Sequence, residues 1–251
     1  TTSTVAEYQC YSRIGTRDRS SVPHDERILT MNTEYKYSPK SIADFVWAND
    51  QLERKMMDYA NGRNSRPLVL QGPFGTGKSL LATLIPKAID GDKVKIEHAN
   101  AERLNNDAEV RKIFQRDKQF DSLFVPAGQS QTYTVIDEVN FNPKAKSALR
   151  TCLDDFVGRD LTIITTNEIE KLDPAILSRA EVVFVPPVPP ERFLKQAQKI
   201  LIAEGVVLED AVVSEVLEST YAKCKDNRAY YKAIDDLISR VAHSSSKPSV
   251  T

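Results

Sequence analysis

The chain has 251 residues, 41% of them hydrophobic and 27% charged, which is enough for one large globular domain or two modest ones. The formal net charge of −1 gives the molecule no overall attraction for nucleic acid, so such contacts require a local basic patch. No apolar run approaches the ~20 residues of a membrane helix and no secretion signal opens the chain. We therefore expect no membrane role and no secretion.

The cysteines indicate the redox environment. Cys10, Cys152 and Cys224 are widely spaced and odd in number. They form no CxxC pair and have no histidine cluster nearby, so neither a disulfide framework nor a zinc site is expected. This favours a reducing compartment, such as the cytoplasm, the nucleoid or the nucleus.

The two ends differ in composition from the middle of the chain. Residues 1–32 are polar and show no hydrophobic period, as expected of a disordered arm, a processed product or a cloning remnant. The tail over residues 244–251 is rich in serine and is also predicted to be disordered.

Strands alternate with helices along the middle of the chain. Asp50 and Glu53 resemble a capping box and predict a first helix over 49–62. The alternation that follows predicts an α/β domain, with a parallel sheet covered by helices on both faces. Its predicted strands are 67–71, 93–99, 133–137, 161–166 and 181–185, and its further helices are 78–89, 106–116, 143–156 and 173–179.

The pattern changes at the proline cluster PPVPP, residues 186–190. Only helices are predicted beyond it, at 191–204, 209–222 and 227–242. We therefore expect the α/β domain to occupy residues 33–186 and a small α-helical domain to occupy residues 187–243.

The segment QGPFGTGKSL, residues 71–80, places three of the nine glycines just before a lysine and a serine. It fits the phosphate-loop (P-loop) pattern G-x-x-x-x-G-K-[ST], between a predicted strand and a predicted helix. Glycines let backbone N–H groups surround a phosphate chain, and the helix N-terminus adds partial positive charge. In such loops the lysine reaches the β- and γ-phosphates and the serine hydroxyl ligates Mg²⁺. The predicted nucleotide-binding residues are Gly72, Pro73, Phe74, Gly75, Thr76, Gly77, Lys78, Ser79 and Leu80.

Polar residues end two of the predicted strands. Asp137, after YTVI, would hold Mg²⁺ through water, and Glu138 would activate the attacking water as general base. Without the upstream loop, a solvated strand end would be the better interpretation of these acids. Asn167, after LTIITT, could hold the lytic water beside Glu138, although asparagine is also common in turns.

The order of these motifs resembles AAA+ P-loop ATPases, and most of all the clamp-loader group, whose members load sliding DNA clamps. The likeness covers about residues 33–242 and implies that the helical domain is the lid of that family, with ATP held between the two domains. The segments that carry it, besides the loop, VIDE and TTN, are YKYSPKSIADFVWANDQLERKM (35–56), HANAERLNND (98–107), SALRTCLDDF (147–156), ILSRAE (176–181) and DNRAYYKAIDDL (226–237).

The resemblance implies further site residues. Arg179 would be an arginine finger that contacts the γ-phosphate bound by a neighbouring subunit, so that ATP sites are completed in a ring or helical oligomer of this or related subunits. Arg228 would reach the phosphates of its own subunit from the lid. Tyr37 and Val46 would line the adenine pocket. The simpler structural interpretations are exposed arginines at helix ends and, for Tyr37, a core aromatic residue.

The resemblance also implies contacts with DNA phosphates, made by basic residues on two helices that face the ring interior. A solvated helix face is the alternative, because both helices also carry acids, and Arg150 could instead couple parts of the protein internally. The candidates are Arg111, Lys112, Arg116 and Lys118 on one helix and Lys144, Lys146 and Arg150 on the other.

The sequence departs from the clamp-loader pattern at Ser38, Thr151 and Ala180, and it ends where the collar domain of that group would begin. We therefore expect a Mg²⁺-dependent ATPase acting on DNA, either a truncated clamp loader or a stand-alone relative, with a sliding clamp as a candidate partner. The alternatives are a protein remodeller and a nucleotide-gated scaffold. NAERLNND lacks the aromatic residue of threading loops, and Phe124 and Val125 are expected in the core.

Overall fold

The structure is a computed structural model that describes residues 32–101, 104, 106–114, 131–137 and 143–244. The chain divides into two compact units. One unit is Pro39–Val188, and the other comprises the residues before Pro39 together with those after Val188. Within the described residues, no helix combines the length and the apolar character that crossing a bilayer requires.

The unit Pro39–Val188 is built on a five-stranded parallel sheet. Its strand order is β2-β3-β4-β1-β5, so that β1, which precedes the glycine-rich loop, lies between β4 and β5. The strands are β1 (Leu68–Gln71), β2 (Glu97–Asn100), β3 (Thr132–Asp137), β4 (Asp160–Thr166) and β5 (Glu181–Phe184).

Helices account for most of the remaining described residues. Two short 3-10 turns accompany them, at Ile42–Asp44 and Ile169–Lys171. In chain order, the helices are α1 (Thr33–Lys36), α2 (Asp50–Ala60), α3 (Lys78–Asp90), α4 (107–114), α5 (Pro143–Asp155), α6 (Pro174–Leu177), α7 (Pro190–Ala203), α8 (Asp210–Lys223) and α9 (Asn227–Ser244).

Helices cover both faces of the sheet. Val69, Ile136 and Ile164 are fully buried in one core cluster with side chains from α4, α5 and α6. Their neighbours along each strand point to the opposite face, because side chains alternate in a strand. On that face α3 packs against β1, β3 and β4. The predicted α/β architecture is therefore confirmed.

The second strand is shorter than predicted. The alternating pattern predicts a strand over 93–99, whereas β2 is Glu97–Asn100. β2 lies at the edge of the sheet and pairs with β3 alone, with Glu97 opposite Thr134. In this register residues 93 and 94 extend past Thr132, the first residue of β3, whereas residues 95 and 96 lie opposite β3 and still do not form strand.

The start of α2 also differs from the prediction by one residue. Its N-cap is Asn49, whose side chain accepts a hydrogen bond of 2.8 Å from the backbone N–H of Leu52. Asp50 and Glu53 lie in the first turn of the helix, where negative charge favours the exposed N–H groups. The cap is thus asparagine and not the predicted Asp50.

The other unit is helical and contains α1, α7, α8 and α9. Its core includes Phe193, whose ring centroid lies 4.6 Å from that of Tyr230 and 5.5 Å from that of Tyr231. These aromatic pairs join α7 to α9, and α8 packs against both helices.

The first described residues belong to this helical unit. The buried Thr33 donates its backbone N–H to Asp235 at 3.2 Å and its hydroxyl to the carbonyl of Tyr231 at 3.1 Å. The sequence assigns residues 33–38 to the α/β domain, whereas the structure groups them with the C-terminal helices, because these hydrogen bonds bind α1 to α9. At the other junction the units divide after Val188, close to the expected boundary at residue 186.

Candidate nucleotide-binding site

The glycine-rich loop joins β1 to α3 at the carboxyl edge of the sheet. Its first glycine lies against the chain that leaves β5: a Cβ atom added to Gly72 would stand 2.3 Å from the carbonyl oxygen of Val185. The backbone N–H of Gly72 donates to Thr166 at 3.1 Å, and that of Val185 donates to Gln71 at 2.7 Å. The loop is therefore fixed at its start between the ends of β4 and β5, with no room for a side chain at residue 72.

The last glycine of the loop requires a left-handed backbone. Gly77 is the N-cap of α3, with φ of 91° and ψ of 15°, and no side chain caps the helix. A Cβ atom at this position would also lie 2.9 Å from the ring of Phe45. The first backbone N–H groups of α3 thus have no side-chain cap, as required of a helix end that binds an anion.

Phe45 is a contact of the loop that the sequence did not predict. It follows the 3-10 turn, is buried, and has its ring centroid 4.7 Å from that of Trp47. The predicted adenine-pocket residue Val46 lies between these two aromatic residues and is half-buried. The pattern F-x-W in the largely apolar segment IADFVWA was a usable signal, since such a cluster of apolar side chains indicates packing against another element.

The lysine of the loop is held by the loop itself. The Nζ atom of Lys78 donates to the carbonyl oxygens of Gly72 at 2.8 Å and Pro73 at 2.6 Å. Thr76 is buried and donates to the same Pro73 carbonyl at 3.1 Å. Phe74 is 71% exposed at the tip of the loop. The ammonium is therefore bound to the carbonyls at the start of the loop, and its predicted contact with the β- and γ-phosphates remains a prediction.

The serine of the loop meets the acid that ends β3. The hydroxyl of Ser79, in the first turn of α3, lies 3.3 Å from Oδ1 of Asp137. The same Oδ1 accepts a hydrogen bond of 2.6 Å from the hydroxyl of Thr165 on β4. The structure thus brings together two residues 58 positions apart that were predicted as metal ligands.

These oxygen atoms have the chemistry that Mg²⁺ requires. Mg²⁺ binds oxygen ligands, and proteins often supply only one or two of them, with the rest coming from phosphates and water. Within the described part of the chain, no group of three or more His, Cys, Asp or Glu side chains could hold a metal ion without such help. A hydroxyl and a carboxylate at the mouth of a phosphate-binding loop therefore fit Mg²⁺ carried by a nucleotide.

Asn167 directly follows β4 at the same edge. In the register of the sheet, Thr166 lies opposite Gln71 and Thr165 lies opposite Asp137. Asn167 is exposed and begins the chain beyond those ends, between the loop and the acid. Glu138, the predicted general base, lies outside the described residues, so its role and that of Asn167 stay predictions.

Arg179 follows α6 and is bound within its own subunit. Its Nε atom donates to Asp154 on α5 at 2.8 Å and its Nη1 atom donates to the carbonyl of Ala175 at 2.7 Å. The hydrogen bond to Asp154 raises the pKa of a guanidinium that is already charged. Both side chains are accessible, with 35% of Arg179 and 54% of Asp154 exposed. Its predicted role as an arginine finger remains a prediction.

The glutamate that starts β5 stabilises the strand beside the loop. Glu181 accepts hydrogen bonds from Lys55 at 3.2 Å, Tyr59 at 3.2 Å and Asn64 at 2.7 Å. Burial alone would raise the pKa of Glu181, but the hydrogen bonds from Lys55 and Asn64 outweigh it and the pKa is lowered. Glu181 therefore joins β5 to α2, away from the carboxyl edge.

Two predicted site residues belong to the helical unit. The hydroxyl of Tyr37 donates to Glu204 at 2.7 Å, and Glu204 also pairs with Lys36 at 2.6 Å. The Nε atom of Arg228 lies 3.3 Å from a carboxylate oxygen of Glu34, and its side chain is 65% exposed. Each polar group thus has a partner within its own unit, and the predicted contacts with adenine and phosphate remain predictions.

The candidate DNA contacts differ in accessibility. Lys112 and Lys144 are exposed. Arg111 pairs with Asp107 at 2.7 Å one helical turn away, which offsets its charge. Arg150 is half-buried, and its Nε atom is buried without a hydrogen-bond partner among the described residues. Lys146 is half-buried, and Arg116 and Lys118 lie outside the described residues.

The chain is similar in sequence to an ATPase family and to replication proteins. Residues 68–188 match the family described as ATPase family associated with various cellular activities (AAA). Replication factor C small subunit 1 of Pyrobaculum arsenaticum is 25% identical over 185 residues, which cover 73% of this chain and 55% of that protein. Replication factor C subunit 4 of Caenorhabditis elegans is 26% identical over 194 residues, which cover 73% of this chain and 56% of that protein. The chain thus spans little more than half the length of these relatives.

Solved structures support the same fold. A RuvB variant of Thermotoga maritima superposes with a TM-score of 0.64 and 16% sequence identity, covering 81% of this chain and 68% of that one. At this level of identity the likeness concerns the fold alone. The match extends well beyond the 121 positions of the family model and includes part of the helical unit, because the sheet unit Pro39–Val188 alone cannot account for it.

Proposed function

We propose that the chain binds ATP with Mg²⁺ and hydrolyses it, because residues 68–188 match the AAA family and the sequence is similar to replication factor C small subunits. The single observation that supports this best is the approach of Ser79 to Asp137, 3.3 Å apart at the mouth of the glycine-rich loop. A metal-bound triphosphate needs a loop, a hydroxyl and a carboxylate at one place, and these residues meet there.

The roles of the site residues follow from their chemistry. Backbone N–H groups between Gly72 and Ser79 would bind the phosphate oxygens, and Lys78 would exchange its two loop carbonyls for the β- and γ-phosphates. Ser79 would ligate Mg²⁺ directly and Asp137 would orient a water bound to it. The ion would neutralise charge that develops on the phosphates.

The chemical step needs two further groups. Glu138 would accept a proton from the attacking water, and Asn167 would hold that water near the end of β4. Arg179 would stabilise the charge of the transferred phosphoryl group from a neighbouring subunit. To contact that phosphoryl group, Arg179 would either break its hydrogen bond with Asp154 or keep it and use other donors. A guanidinium has five N–H donors, and the two hydrogen bonds in the structure use two of them.

We also propose that the substrate on which ATP hydrolysis acts is DNA, in an assembly of several AAA subunits. The relatives named above are subunits of a replication factor, which supports a role on DNA. Lys112 and Lys144 support it further, because both are exposed and both lie on helices that contribute to one core cluster on the same face of the sheet. Contacts through these lysines would be with phosphates and independent of base sequence.

ATP binding and turnover test the first part of the proposal. Lys78→Ala should weaken ATP affinity at least tenfold, because the compensating charge is lost from a partly enclosed site. Glu138→Gln should keep the affinity and abolish hydrolysis, since only the base is removed. Lys93→Ala, which removes an exposed lysine beyond the end of α3, serves as the control for loss of one positive charge. Equal ATP affinity of Lys78→Ala and the wild type, measured by calorimetry, would exclude the proposed phosphate site.

The nature of the partner is tested with the ATP-bound protein. Glu138→Gln protein with Mg²⁺ and ATP is mixed with primed DNA, with single-stranded DNA, and with a sliding clamp, and masses of the complexes are measured. DNA-stimulated hydrolysis by the wild type, together with a DNA complex, would support the proposal. Binding to the clamp or to another protein without any DNA complex at low salt would instead favour the protein-directed alternative.

A further inference from the structure

Among the described residues of the candidate metal site, Thr165 makes the shortest hydrogen bond. Its side chain is only 4% exposed, and its hydroxyl donates to Oδ1 of Asp137 at 2.6 Å. This length is typical of a hydroxyl bound to an ionised carboxylate, which makes a stronger bond than two neutral groups do. Thr165 is buried in the sheet, where a polar side chain needs a hydrogen-bond partner.

The sheet places the two residues side by side. In the parallel register of β3 and β4, Asp137 is the direct partner of Thr165. Ile136 and Ile164 point into the cluster with α5, so Asp137 and Thr165 both point to the face covered by α3. The hydrogen bond between them is therefore set by backbone register and does not depend on a flexible loop.

Two hydroxyl groups converge on one oxygen of the carboxylate. Oδ1 of Asp137 accepts hydrogen bonds from the hydroxyl of Thr165 at 2.6 Å and the hydroxyl of Ser79 at 3.3 Å. Among the described residues, no hydrogen bond to Oδ2 of Asp137 is made. The short bond holds Oδ1 toward β4, and the second oxygen would accept from a water bound to a metal ion.

We propose that Thr165 is a positioning residue that orients Asp137 for Mg²⁺ in the nucleotide complex. This inference rests on the proposed function, because it assumes that Asp137 serves a nucleotide-bound ion. Thr165 is buried, and no contact of its own with the nucleotide is proposed. Its action on the ion passes through Asp137, as is common for hydrogen-bond partners of metal-binding groups.

The test compares two substitutions at the same residue. Thr165→Val keeps the shape of the side chain and removes the hydroxyl, whereas Thr165→Ser keeps the hydroxyl and removes a methyl group. Both are made in the Glu138→Gln background, and Mg²⁺ binding to the ATP-bound protein is titrated without turnover. We expect Thr165→Val to weaken Mg²⁺ binding about tenfold, the low end of the range for such partners. Thr165→Ser should stay within about twofold of the parent.

Binding of ATP without metal separates positioning from general damage. In excess EDTA the affinity for ATP depends on the loop and Lys78, and Thr165→Val should leave it within about twofold of the parent. Thr166→Val is the matched control, since Thr166 is the next residue of β4, is equally buried, and uses its hydroxyl oxygen to accept the N–H of Glu168 at 2.9 Å. This control should not change the Mg²⁺ titration.

A double-mutant cycle tests whether Asp137 transmits the effect. In an Asp137→Asn background, Thr165→Val should have no further effect on Mg²⁺ binding, because the charged acceptor is already absent. Full additivity of the two changes would overturn the proposal. Equal Mg²⁺ affinity of Thr165→Val and the parent would also overturn it. The same holds if Thr165→Ser and Thr165→Val weaken Mg²⁺ binding equally while their melting temperatures are unchanged.

Failure of the proposed function gives a different result. If the parent protein itself binds ATP no better with Mg²⁺ than with EDTA, Asp137 serves no nucleotide-bound ion and the proposed function fails. A normal Mg²⁺ dependence of the parent with no effect of Thr165→Val overturns the positioning role alone.

Discussion

The guanidinium of Arg179 and the carboxylate of Asp154 form an ion pair of 2.8 Å between the end of α6 and the end of α5. The pair orients a partly exposed arginine that also donates to the carbonyl of Ala175. These two hydrogen bonds use two of the five N–H donors of the guanidinium, so donors remain for the contact with another subunit that we predict for it.

The role of Arg179 in a neighbouring site gives the first prediction. Arg179→Ala should leave ATP affinity of the isolated subunit within about twofold and lower turnover of the assembled state by about 10³-fold, as for other arginine fingers. Mixing it with Glu138→Gln subunits should restore part of the activity, because some interfaces then pair a working base with a working finger. Loss of activity that persists in the mixture, with subunit exchange verified by mass, would place the action of Arg179 within its own subunit.

Asp154 should have a smaller effect on turnover of the assembled state than Arg179. Asp154→Asn weakens the ion pair and should lower turnover of the assembled state only about threefold, since exposed ion pairs are weak. Asp155→Asn, at the adjacent exposed position, is the matched control and should not change turnover. A decrease as large as that of Arg179→Ala would show that Asp154 has a role of its own.

The contact between Gly77 and Phe45 predicts a stability effect. A left-handed backbone usually costs a residue with a side chain ~1–3 kcal/mol. Gly77→Ala should lower the free energy of unfolding by more than this, because the new Cβ also meets the Phe45 ring. Gly62→Ala isolates the backbone cost, since Gly62 has φ of 67° and no atom within 4 Å of an added Cβ. Urea unfolding measures both.

A companion substitution tests the steric part of that loss. Phe45→Leu combined with Gly77→Ala should cost less than the sum of the two single changes, because the smaller side chain relieves the contact. Strict additivity would mean that the backbone conformation alone accounts for the loss.

A buried carboxyl group predicts a pH effect on stability. Asp160 is 4% exposed and accepts hydroxyl hydrogen bonds from Thr132 at 2.8 Å, Thr134 at 2.9 Å and Thr162 at 2.7 Å. Burial raises the pKa of Asp160, against the opposing effect of these hydrogen bonds. The folded protein therefore holds this proton at pH values where the unfolded chain has released it.

The sign of the effect follows by linkage. Because the folded pKa is raised, the contribution of Asp160 to stability is fully present below about pH 4 and is lost as pH rises through the folded pKa. Asp160→Asn removes this titration, so the wild type should lose stability relative to the variant as pH increases from about 4. Urea unfolding at several pH values measures the difference, with Asp92→Asn as the control for loss of an exposed negative charge. A difference that is constant with pH would contradict the prediction.

The exposed lysines give a prediction for DNA binding. Lys112→Glu together with Lys144→Glu should weaken DNA binding by the ATP-bound assembly. The slope of log affinity against log salt is negative, and each lost phosphate contact should reduce its magnitude by about 0.9. Lys199→Glu, at an exposed position on α7, controls for the change in net charge. Unchanged affinity and slope would exclude these two helices as the DNA-binding surface.

The sequence alone determined the class of fold and the chemistry of the loop. Strands that alternate with helices require a parallel sheet, and the loop from Gly72 to Ser79 follows a strand and precedes a helix. The expected strand at 93–99 was wrong at its start, because β2 begins at Glu97 and an alternating pattern does not show where pairing with the neighbouring strand begins. Asp50 was also the wrong cap, because two acceptable capping residues, Asn49 and Asp50, stand side by side and local sequence does not choose between them.

Only the tertiary structure decided which side chains meet. Asp137 and Thr165 were each visible as polar residues near the end of an apolar strand, but their contact depends on β3 and β4 being neighbours in register, which local sequence does not encode. The same holds for Phe45 and Gly77, which lie 32 positions apart and touch because the segment before α2 packs on α3. Backbone propensity and motif spacing act over a few residues, whereas strand order and packing arise from the whole core, and the orientation of Asp137 belongs to the second kind.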